Sequence, residues 1–378
     1  MKRNNKRVNS VACIISLGAL ILSSSVTFAC TRLVYLGDNN ETITARSMDW
    51  KKDVGTNLWV FPRELPRSGE AGQHSLKWVS KYGSVIASAY DISTTDGINE
   101  KGLAANLLWL VESKYPTTAP TAEKPGLSIA AWAQYVLDNF ATVDEAVQAL
   151  KQDKFTLVTA NVPDEERLAT LHLSLSDASG DSAIIEYIDG KQVIHHSREY
   201  QVMTNSPVFN QQLALNAYWK EIGGSVMLPG TNRAADRFVR ASFYVDNIAK
   251  NEGHDKALAS AFSVIRNVSV PYGYTLKNES DKPNKLDKLN KPAGPNEPDQ
   301  PNIASTRWRS VIDHKSMQYF FESALSPNIF WVDLKKIDFS PRDGSAMKLD
   351  LGPNQSTIYS GQVSEQFKKA EPFKFAGI

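Results

Sequence analysis

The first 29 residues have the pattern of a secretory signal peptide, and their removal leaves a chain with one cysteine. Basic residues precede an apolar run at 11–22, and the small residues Thr27 and Ala29 predict cleavage after Ala29. Cys13 lies in the segment that is removed, and Cys30 becomes the first residue of the mature chain. The mature protein must therefore fold without an internal disulfide, which removes the commonest structural reason for a cysteine in an exported protein.

At the start of a chain, Cys30 combines a nucleophile and a base in one residue. An α-amino group has an unperturbed pKa of about 7.7 to 8.0, so part of it is neutral at physiological pH and can take the proton of the thiol. Two other interpretations stay open. Cys30 is the acylation site of a non-catalytic lipoprotein, although Thr27 and the bulky Phe28 fit that signal poorly, or it is an ordinary buried thiol because cleavage falls elsewhere.

Composition argues against several kinds of partner. The net charge of +1 gives no strong field toward nucleic acid or an anionic membrane surface. Beyond the signal segment, no apolar run is long enough to span a bilayer. We therefore expect a soluble product, periplasmic or secreted, with a mature chain long enough for one large core.

Predicted strands and helices come in blocks. Alternating or β-branched runs predict the strands, helical spacing predicts the helices, and Thr142 with Glu145 forms a capping box. Asp189-Gly190 is a two-residue hairpin turn between the strands at 183–188 and 192–196. The other predicted segments are strands at 31–36, 42–45, 58–61, 76–79 and 84–89, a hairpin turn at 98–103 before an apolar stretch at 103–110, helices at 127–140, 142–152, 233–248 and 256–265, and strand blocks at 156–202 and 318–360. The lack of steady βαβ alternation indicates a layered α+β fold.

One segment departs from this pattern. Residues 277–301 are rich in Lys, Pro, Asn and Asp and have no apolar period, which predicts a mobile surface insertion. The strands after it have too little apolar surface to form a unit of their own. We therefore expect a single domain at 30–378.

The first two predicted strands bring a charged pair toward the cysteine. Pairing of 31–36 with 42–45 through the polar turn at 37–41 returns Arg46 and Asp49 to the neighbourhood of Cys30. A cation there favours the thiolate, and a carboxylate can hold the α-amino group. An ordinary surface ion pair between Arg46 and Asp49 is the alternative on composition alone.

Five segments in register extend this pattern over nearly the whole mature chain. Together they resemble the choloylglycine hydrolase family, whose members are bile salt hydrolases and penicillin V acylases within the N-terminal-nucleophile hydrolases. The segments are Cys-Thr-Arg at 30–32, Ala-Arg-Ser-Met-Asp-Trp at 45–50, Gly-Ile-Asn-Glu-Lys-Gly-Leu at 97–103, Met-Thr-Asn-Ser-Pro at 203–207 and Leu-Pro-Gly-Thr-Asn-Arg-Ala-Ala-Asp-Arg-Phe-Val-Arg at 228–240.

The resemblance implies a role for each matched residue. Cys30 is the nucleophile, Arg46 lies beside the thiol and Asp49 binds the α-amino group. Asn205 supplies an amide to the oxyanion hole, and Arg237 is the remaining active-site arginine. The implied fold is a four-layer αββα sandwich, and the implied assembly is a homotetramer.

No metal or organic cofactor is needed for this chemistry. The sequence has no metal-ligand spacing, since His195 and His196 face opposite ways on a strand and the other histidines are isolated along the chain. We interpret all six histidines as structural or surface residues.

Two tryptophans bear on the substrate. Many bile salt hydrolases have an asparagine where this chain has Trp109, so only the backbone N–H there can serve the oxyanion. Trp50 follows Asp49 directly, and the two indoles either pack in the core or form a flat apolar slot for a phenyl ring or an acyl chain. These features, with a short segment between Asn205 and Arg237, resemble the Gram-negative penicillin V acylase branch, which includes enzymes that cleave acyl-homoserine lactones.

The sequence thus predicts an exported cysteine amidohydrolase that acts on a linear amide with an apolar acyl group. Penicillin V is the diagnostic substrate. A bile salt hydrolase and an acyl-homoserine lactone acylase are the alternatives within the same fold.

Overall fold

The computed structural model describes residues 30–223, 226–273, 304–341 and 344–378. The predicted signal peptide at 1–29 and the predicted insertion at 277–301 lie outside the described residues.

Strands dominate the described part of the chain, and the helices fall into two groups between them. The helices are α1 Ile129–Asn139, α2 Val143–Leu150, α3 Phe209–Ile222, α4 Ala234–Asn247 and α5 His254–Asn267. The strands are β1 Thr31–Leu36, β2 Thr42–Trp50, β3 Leu58–Phe61, β4 Pro66–Ser68, β5 Lys77–Val79, β6 Ser84–Ala89, β7 Ser93–Asn99, β8 Ala104–Trp109, β9 Gly126–Ser128, β10 Thr156–Val158, β11 Leu171–Ser176, β12 Ser182–Ile188, β13 Lys191–His196, β14 Val202–Met203, β15 Ser305–Asp313, β16 Gln318–Ser323, β17 Ile329–Asp333, β18 Met347–Leu349, β19 Gly361–Gln362 and β20 Lys368–Lys369.

Two large sheets contain most of these strands. The seven-stranded sheet has the order β14-β1-β2-β15-β16-β17-β19, and the nine-stranded sheet has the order β13-β12-β11-β8-β7-β6-β3-β18-β20. In the seven-stranded sheet β1 lies next to β2, and β2 lies next to β15 from the far end of the chain. Strand β1, which follows Cys30 directly, thus lies inside a sheet, between β14 and β2, rather than at its edge.

The two sheets pack face to face, with helices on their outer faces. Helices α4 and α5 pack on β1 and β2, whereas α1 packs on β7 and β8. Polar contacts cross the interface between the sheets: Arg32 Nη2 donates to the Leu175 carbonyl at 2.8 Å, and the hydroxyl of Tyr319 donates to Asp96 at 2.5 Å. The layers are therefore helix, sheet, sheet and helix, which confirms the predicted four-layer αββα architecture.

Most predicted elements agree with the structure. Strands β1, β3 and β6 have the predicted bounds, and the hairpin at Asp189-Gly190 joins β12 to β13. The Thr142 hydroxyl accepts from the Glu145 N–H at 3.2 Å and so caps α2 as predicted. The helix predicted from residue 127 begins instead at Ile129, because 126–128 pair with β10 as a short parallel strand.

Candidate active site

The β1–β2 hairpin brings Cys30 against the end of β2, as predicted. Thr31 pairs with Ser47, so the register continues to place Cys30 opposite Met48 and next to Asp49. The Asp49 backbone N–H donates to the Cys30 Sγ at 3.4 Å, and that sulfur lies 3.7 Å from the Asp49 carbonyl oxygen. Only 3% of Cys30 is exposed.

Alternation along β2 sends the two predicted charged residues to opposite sides of the sheet. Arg46 reaches the nine-stranded sheet, while Asp49 accepts from Thr306 and from the Ser47 hydroxyl on the side of α4 and α5. Arg46 is 1% exposed, Asp49 is fully buried, and the acidic partner of Arg46 is Asp96 at 3.5 Å. The alternative of a surface ion pair between Arg46 and Asp49 is therefore wrong.

Arg46 spans a gap in the nine-stranded sheet. Strands β7 and β8 pair only from Asp96–Asn106 to Ile98–Ala104 and separate beyond that point. The guanidinium donates to the carbonyls of Thr95 at 2.6 Å and Leu107 at 2.7 Å, one on each separated strand. These carbonyls belong to the parts of β7 and β8 that no longer pair with each other, and Arg46 satisfies them in place of a ladder.

Arg237 links the cysteine to the predicted oxyanion residue. It lies on α4, is fully buried, and its Nη1 donates to the Cys30 carbonyl at 2.8 Å and to the Thr31 hydroxyl. Its Nη2 donates to the Asn205 Oδ1 at 3.0 Å. Burial lowers the pKa of Arg237 to about 10, against the opposing effect of Asp49, so the side chain stays cationic at neutral pH.

Asn205 lies in the turn between β14 and α3, and a buried glutamine fixes that turn. Gln212 Nε2 donates to the carbonyls of Asn205 at 2.5 Å and Pro207 at 2.6 Å. Its Oε1 accepts from the N–H and the hydroxyl of Thr204, each at 3.3 Å. Sequence reasoning missed Gln212, because a glutamine on a helix with many exposed residues carries no signal of burial.

The N-terminus of α3 is fixed by a second buried group. The Glu186 carboxylate accepts from the Phe209 N–H at 3.0 Å and lies 3.3 Å from the rings of His172 and His195. Burial raises the pKa of Glu186, but the hydrogen bonds from the two histidines outweigh burial and lower it to about 2. These histidines are therefore structural, as predicted.

The backbone of Trp109 lies beside Asn205. Asn205 Nδ2 donates to the Trp109 carbonyl at 2.8 Å. The Leu110 N–H donates to Thr170 of the segment before β11, and hydrogen-bonding direction alternates along an antiparallel strand. The N–H of Trp109 is therefore directed toward the opposite edge of β8, the side on which β7 has separated.

Burial controls the ionisation of the site. It raises the pKa of Cys30, and Asp49 raises it further, while Arg46, the Asp49 N–H and Arg237 lower it. Burial also raises the pKa of Asp49 to about 6, despite the opposing effects of Arg237 and of the hydroxyl donors. The thiol therefore stays protonated at neutral pH unless a base accepts its proton.

Cys30 opens onto an apolar pocket. The pocket encloses about 790 Å³ including the solvent in its open mouth, and most of the residues that line it are apolar. Trp50 and Trp109 form one wall, with ring centroids 5.3 Å apart and planes inclined by 54°. Arg167, which sequence reasoning missed, lies over the Trp109 ring at 4.5 Å and pairs with Glu165 at 2.9 Å.

A separate charged cluster lies at the other end of the β1–β2 hairpin. His254 Nδ1 is 3.0 Å from Glu41 and its Nε2 is 3.1 Å from Asp313, although the sequence spacing had made His254 look isolated. The Lys315 Nζ lies 2.5 Å from Glu41. The hydrogen bond to Glu41 raises the pKa of His254, which is the behaviour of an ion-pair cluster because both ring nitrogens face carboxylates.

Across the described ranges, no helix combines the length and the apolar character needed to cross a membrane.

Comparison with known proteins agrees with this geometry. The family model described as "Linear amide C-N hydrolases, choloylglycine hydrolase family" matches residues 30–286. A penicillin V acylase of Pectobacterium atrosepticum is 68% identical over the full length of both chains, and a bile salt hydrolase/transferase of Clostridium perfringens is 27% identical over 65% of this chain and 80% of its own.

Among solved structures, the penicillin V acylase from Agrobacterium tumefaciens superimposes with a TM-score of 0.80 at 65% identity. The match covers 92% of this chain and all of the other. Both the family match and the full-length relative point to hydrolysis of linear amides. The chain therefore belongs to the choloylglycine hydrolase family and is a hydrolase of linear amides.

Proposed function

We propose that this protein is an exported cysteine amidohydrolase in which Cys30 attacks the carbonyl of an amide whose acyl group lies between Trp50 and Trp109. The observation that carries the proposal is the position of the Cys30 thiol in an apolar pocket that these two indoles also line. Arg237 connects the Cys30 backbone carbonyl to the Asn205 Oδ1 by donating hydrogen bonds of 2.8 and 3.0 Å.

The base of the reaction is the α-amino group that cleavage after Ala29 releases on Cys30. Such a base is needed because burial raises the pKa of the thiol, and the neutral amine can accept its proton. Asp49 is the counterion of this amine once it is protonated, since its carboxylate is buried, is close enough to Cys30 to raise the pKa of the thiol, and is oriented by Ser47 and Thr306. Export to the periplasm or the medium belongs to the same proposal.

Two donors stabilise the tetrahedral oxyanion. The Asn205 amide carries two hydrogens, of which the Trp109 carbonyl takes one and the oxyanion takes the other. The backbone N–H of Trp109 is the second donor. Loss of one such donor typically lowers kcat by about 100- to 1,000-fold.

The bonds and protons then balance in two steps. The Cys30 sulfur forms a bond to the acyl carbon, the amide C–N bond breaks, and the α-ammonium group returns the thiol proton to the leaving nitrogen. Water next attacks the thioester, the C–S bond breaks, and the carboxylic acid leaves with the thiol restored. Arg46 and Arg237 act on this sequence through their charge, which favours the thiolate over the thiol.

Penicillin V is the substrate that we propose first, with 6-aminopenicillanic acid and phenoxyacetate as products. The full-length relative at 68% identity bears the name penicillin V acylase, and a planar phenoxy ring suits a wall of two indoles. Long-chain acyl-homoserine lactones are the second candidate, because the pocket continues to Ile129 and Ala130 on α1 and is lined mostly by apolar residues. Conjugated bile salts are the comparison substrate, since the bile salt relative is only 27% identical.

Cys30→Ser tests the nucleophile. This change replaces one sulfur by oxygen, so the variant should keep its melting temperature and lose measurable turnover of penicillin V. A variant that retains a large fraction of the wild-type rate removes Cys30 from the mechanism. Rates on penicillin V, glycocholate and a series of acyl-homoserine lactones, measured side by side, then assign the preferred acyl group.

The intact mass of the mature protein tests the remaining claims about Cys30. An unmodified chain beginning at Cys30 agrees with the proposed base, and an added diacylglycerol identifies the lipoprotein instead. We also propose a homotetramer, on the family resemblance, and light scattering of the purified protein measures that mass directly.

A further inference from the structure

The pocket that begins at Cys30 reaches three successive layers of the fold. Cys30 directly precedes β1 of the seven-stranded sheet, Trp50 ends β2 of the same sheet, and Leu107 belongs to the nine-stranded sheet. Ile129 and Ala130 lie at the start of α1, on the outer face of that second sheet. The pocket therefore passes through the nine-stranded sheet at the point where β7 and β8 separate.

A segment from the far end of the chain forms part of the outer wall. Ala376 lines the pocket together with Ser128 and Ala130, and each of these side chains is small. The family model matches residues 30–286 and so does not include this segment. Ala376 is therefore a pocket-lining residue that lies outside the matched range.

The 373–378 segment is held in place by backbone hydrogen bonds. The Ala376 N–H donates to the Ile92 carbonyl at 2.8 Å, and the Ser128 hydroxyl donates to the Ala376 carbonyl at 2.6 Å. The Ile378 N–H donates to the Glu70 carbonyl at 3.1 Å. These bonds fix Ala376 on both sides, so the wall cannot move aside without losing them.

Aromatic packing anchors the same segment. The Phe373 ring meets Trp59 at 5.0 Å and Phe61 at 5.4 Å, and Phe375 is 8% exposed within the same cluster. The segment passes close to the backbone, since a Cβ at Gly377 would lie 2.7 Å from the Glu70 carbonyl oxygen. The position of Ala376 is thus set by packing on both sides along the chain.

We propose that Ala376 closes the acyl pocket at the end remote from Cys30 and thereby sets the longest acyl chain that the enzyme accommodates. This inference rests on the proposed function for the identity of the acyl group. It adds that the preferred substrates are linear or aryl acyl groups that extend through the nine-stranded sheet. Ala376 is a specificity-determining residue, and it takes no part in the bond-breaking steps.

The test uses amides of 6-aminopenicillanic acid with butyric, hexanoic, octanoic, decanoic and dodecanoic acids. In the wild-type protein, kcat/KM should rise with chain length and then level off where the chain reaches Ala376. Each methylene that gains burial contributes about a fourfold increase, which is about 0.8 kcal/mol converted at 1.4 kcal/mol per tenfold. Ala376→Leu adds three carbons to the wall and should lower kcat/KM for the longest chains about 50-fold, while the butyryl amide changes less than twofold.

Lys374→Leu is the matched control, because Lys374 is exposed on the same segment and is not among the residues that line the pocket. It should leave the chain-length profile unchanged. Equal losses of kcat/KM at all chain lengths in Ala376→Leu, or no loss at any length, overturn the proposal. Ala376→Gly gives the opposite change without added bulk, and a profile that does not shift toward longer chains in that variant also counts against it.

Calorimetric binding of the free fatty acids to the same variants separates this inference from the proposed mechanism. Binding requires the pocket but no turnover by Cys30. If hydrolysis fails while the affinity for long acids falls in Ala376→Leu, the mechanism is wrong and the wall assignment stands. If hydrolysis proceeds and the affinity profile is unchanged, the wall assignment is wrong and the mechanism stands.

Discussion

Replacement of Gln212 by Met should impair catalysis through a residue that touches no substrate. Gln212 is fully buried and makes hydrogen bonds to Thr204, Asn205 and Pro207 around the turn that carries the proposed oxyanion donor. Methionine has nearly the same length and volume, so the change removes the polar contacts with little change in packing. Gln212 is a positioning residue in this interpretation.

The expected losses of stability and of kcat in Gln212→Met follow from the groups that lose a hydrogen-bond partner. Two carbonyls and one N–H lose the contact that Gln212 provides, the Thr204 hydroxyl keeps the Ala234 carbonyl as a partner, and each unsatisfied buried group costs about 1 to 3 kcal/mol. Because the turn can relax, we expect the free energy of unfolding to fall by about 2 to 5 kcal/mol in total. Removal of an oxyanion donor lowers kcat by about 100- to 1,000-fold, so a displaced Asn205 should lower kcat by about 10- to 100-fold.

Steady-state kinetics at a temperature well below unfolding provide the assay. KM should stay within about twofold of wild type, since Gln212 does not line the pocket. Gln211→Met is the matched control, because Gln211 is the exposed neighbour on the same helix and should change neither kcat nor stability. Chemical denaturation of each variant reports the stability change separately.

A double-mutant cycle decides whether the effect passes through Asn205. If Gln212 acts by positioning Asn205, the double variant with Asn205→Ala should lose no more kcat than Asn205→Ala alone. Losses that multiply instead refute this reasoning. So does a Gln212→Met protein that is destabilised and yet turns over at the wild-type rate.

Three further predictions concern the base, the pocket wall and the support of α3. A cytoplasmic form that keeps Met or a tag ahead of Cys30 should be inactive until the extra residues are trimmed, and full activity with an uncut extension verified by mass contradicts the N-terminal base. Trp109→Ala should raise KM for penicillin V markedly, with little change in the melting temperature or in the rate on glycine-conjugated steroids, because aromatic stacking adds about 0.5 to 1.5 kcal/mol beyond area burial. A variant that fails to fold, or that slows on both substrates equally, assigns Trp109 to the core. Glu186→Gln should lower the free energy of unfolding by up to about 3 kcal/mol at neutral pH. The difference in stability from wild type should shrink as the pH falls from 4.5 toward 2, because Glu186, whose pKa is lowered in the folded state, stabilises that state only while its carboxylate is ionised. Urea unfolding of both proteins at several pH values measures this difference, and a deficit that does not vary with pH contradicts it.

Local patterns in the sequence were sufficient for the strands that carry the nucleophile. The β-branched run at 31–36 predicted β1 with its observed bounds, and the turn at 37–41 placed Arg46 and Asp49 beside Cys30. The actual β2 extends to Trp50, which the prediction had ended at residue 45 because the charged residues break its apolar alternation. Both faces of β2 are buried in the four-layer fold, so polar residues there do not mark the end of the strand.

Other elements had weaker signals. Helix α3 was not predicted, since among its residues only Phe209 and Gln212 are buried and its apolar period is poor. Strand β15 was also missed, although the alternation of Arg307, Trp308 and Arg309 is a signal that could have identified it.

The more distant members of the site were beyond local pattern. Asn205 and Arg237 were found only through the family resemblance, because nothing near either residue in the sequence indicates a position beside Cys30. Their hydrogen bond joins the turn after β14 to α4, and Arg237 reaches Cys30 across 207 positions of the chain. Contacts of this kind are decided by the packing of whole layers, which no short window of sequence contains.

The gap between β7 and β8 has a consequence for how variants of this enzyme are interpreted. Arg46 donates hydrogen bonds to both strands in place of the backbone ladder that they lack, so it holds the gap in the sheet open. It also supplies a positive charge near the thiol. A neutral replacement leaves the buried carbonyls of Thr95 and Leu107 without their donor. The two strands can then either move together or admit water between them. Loss of activity in an Arg46 variant therefore combines two effects, a change in access to the acyl pocket and a change in the pKa of the thiol. The two effects separate only when substrates of different acyl length are compared.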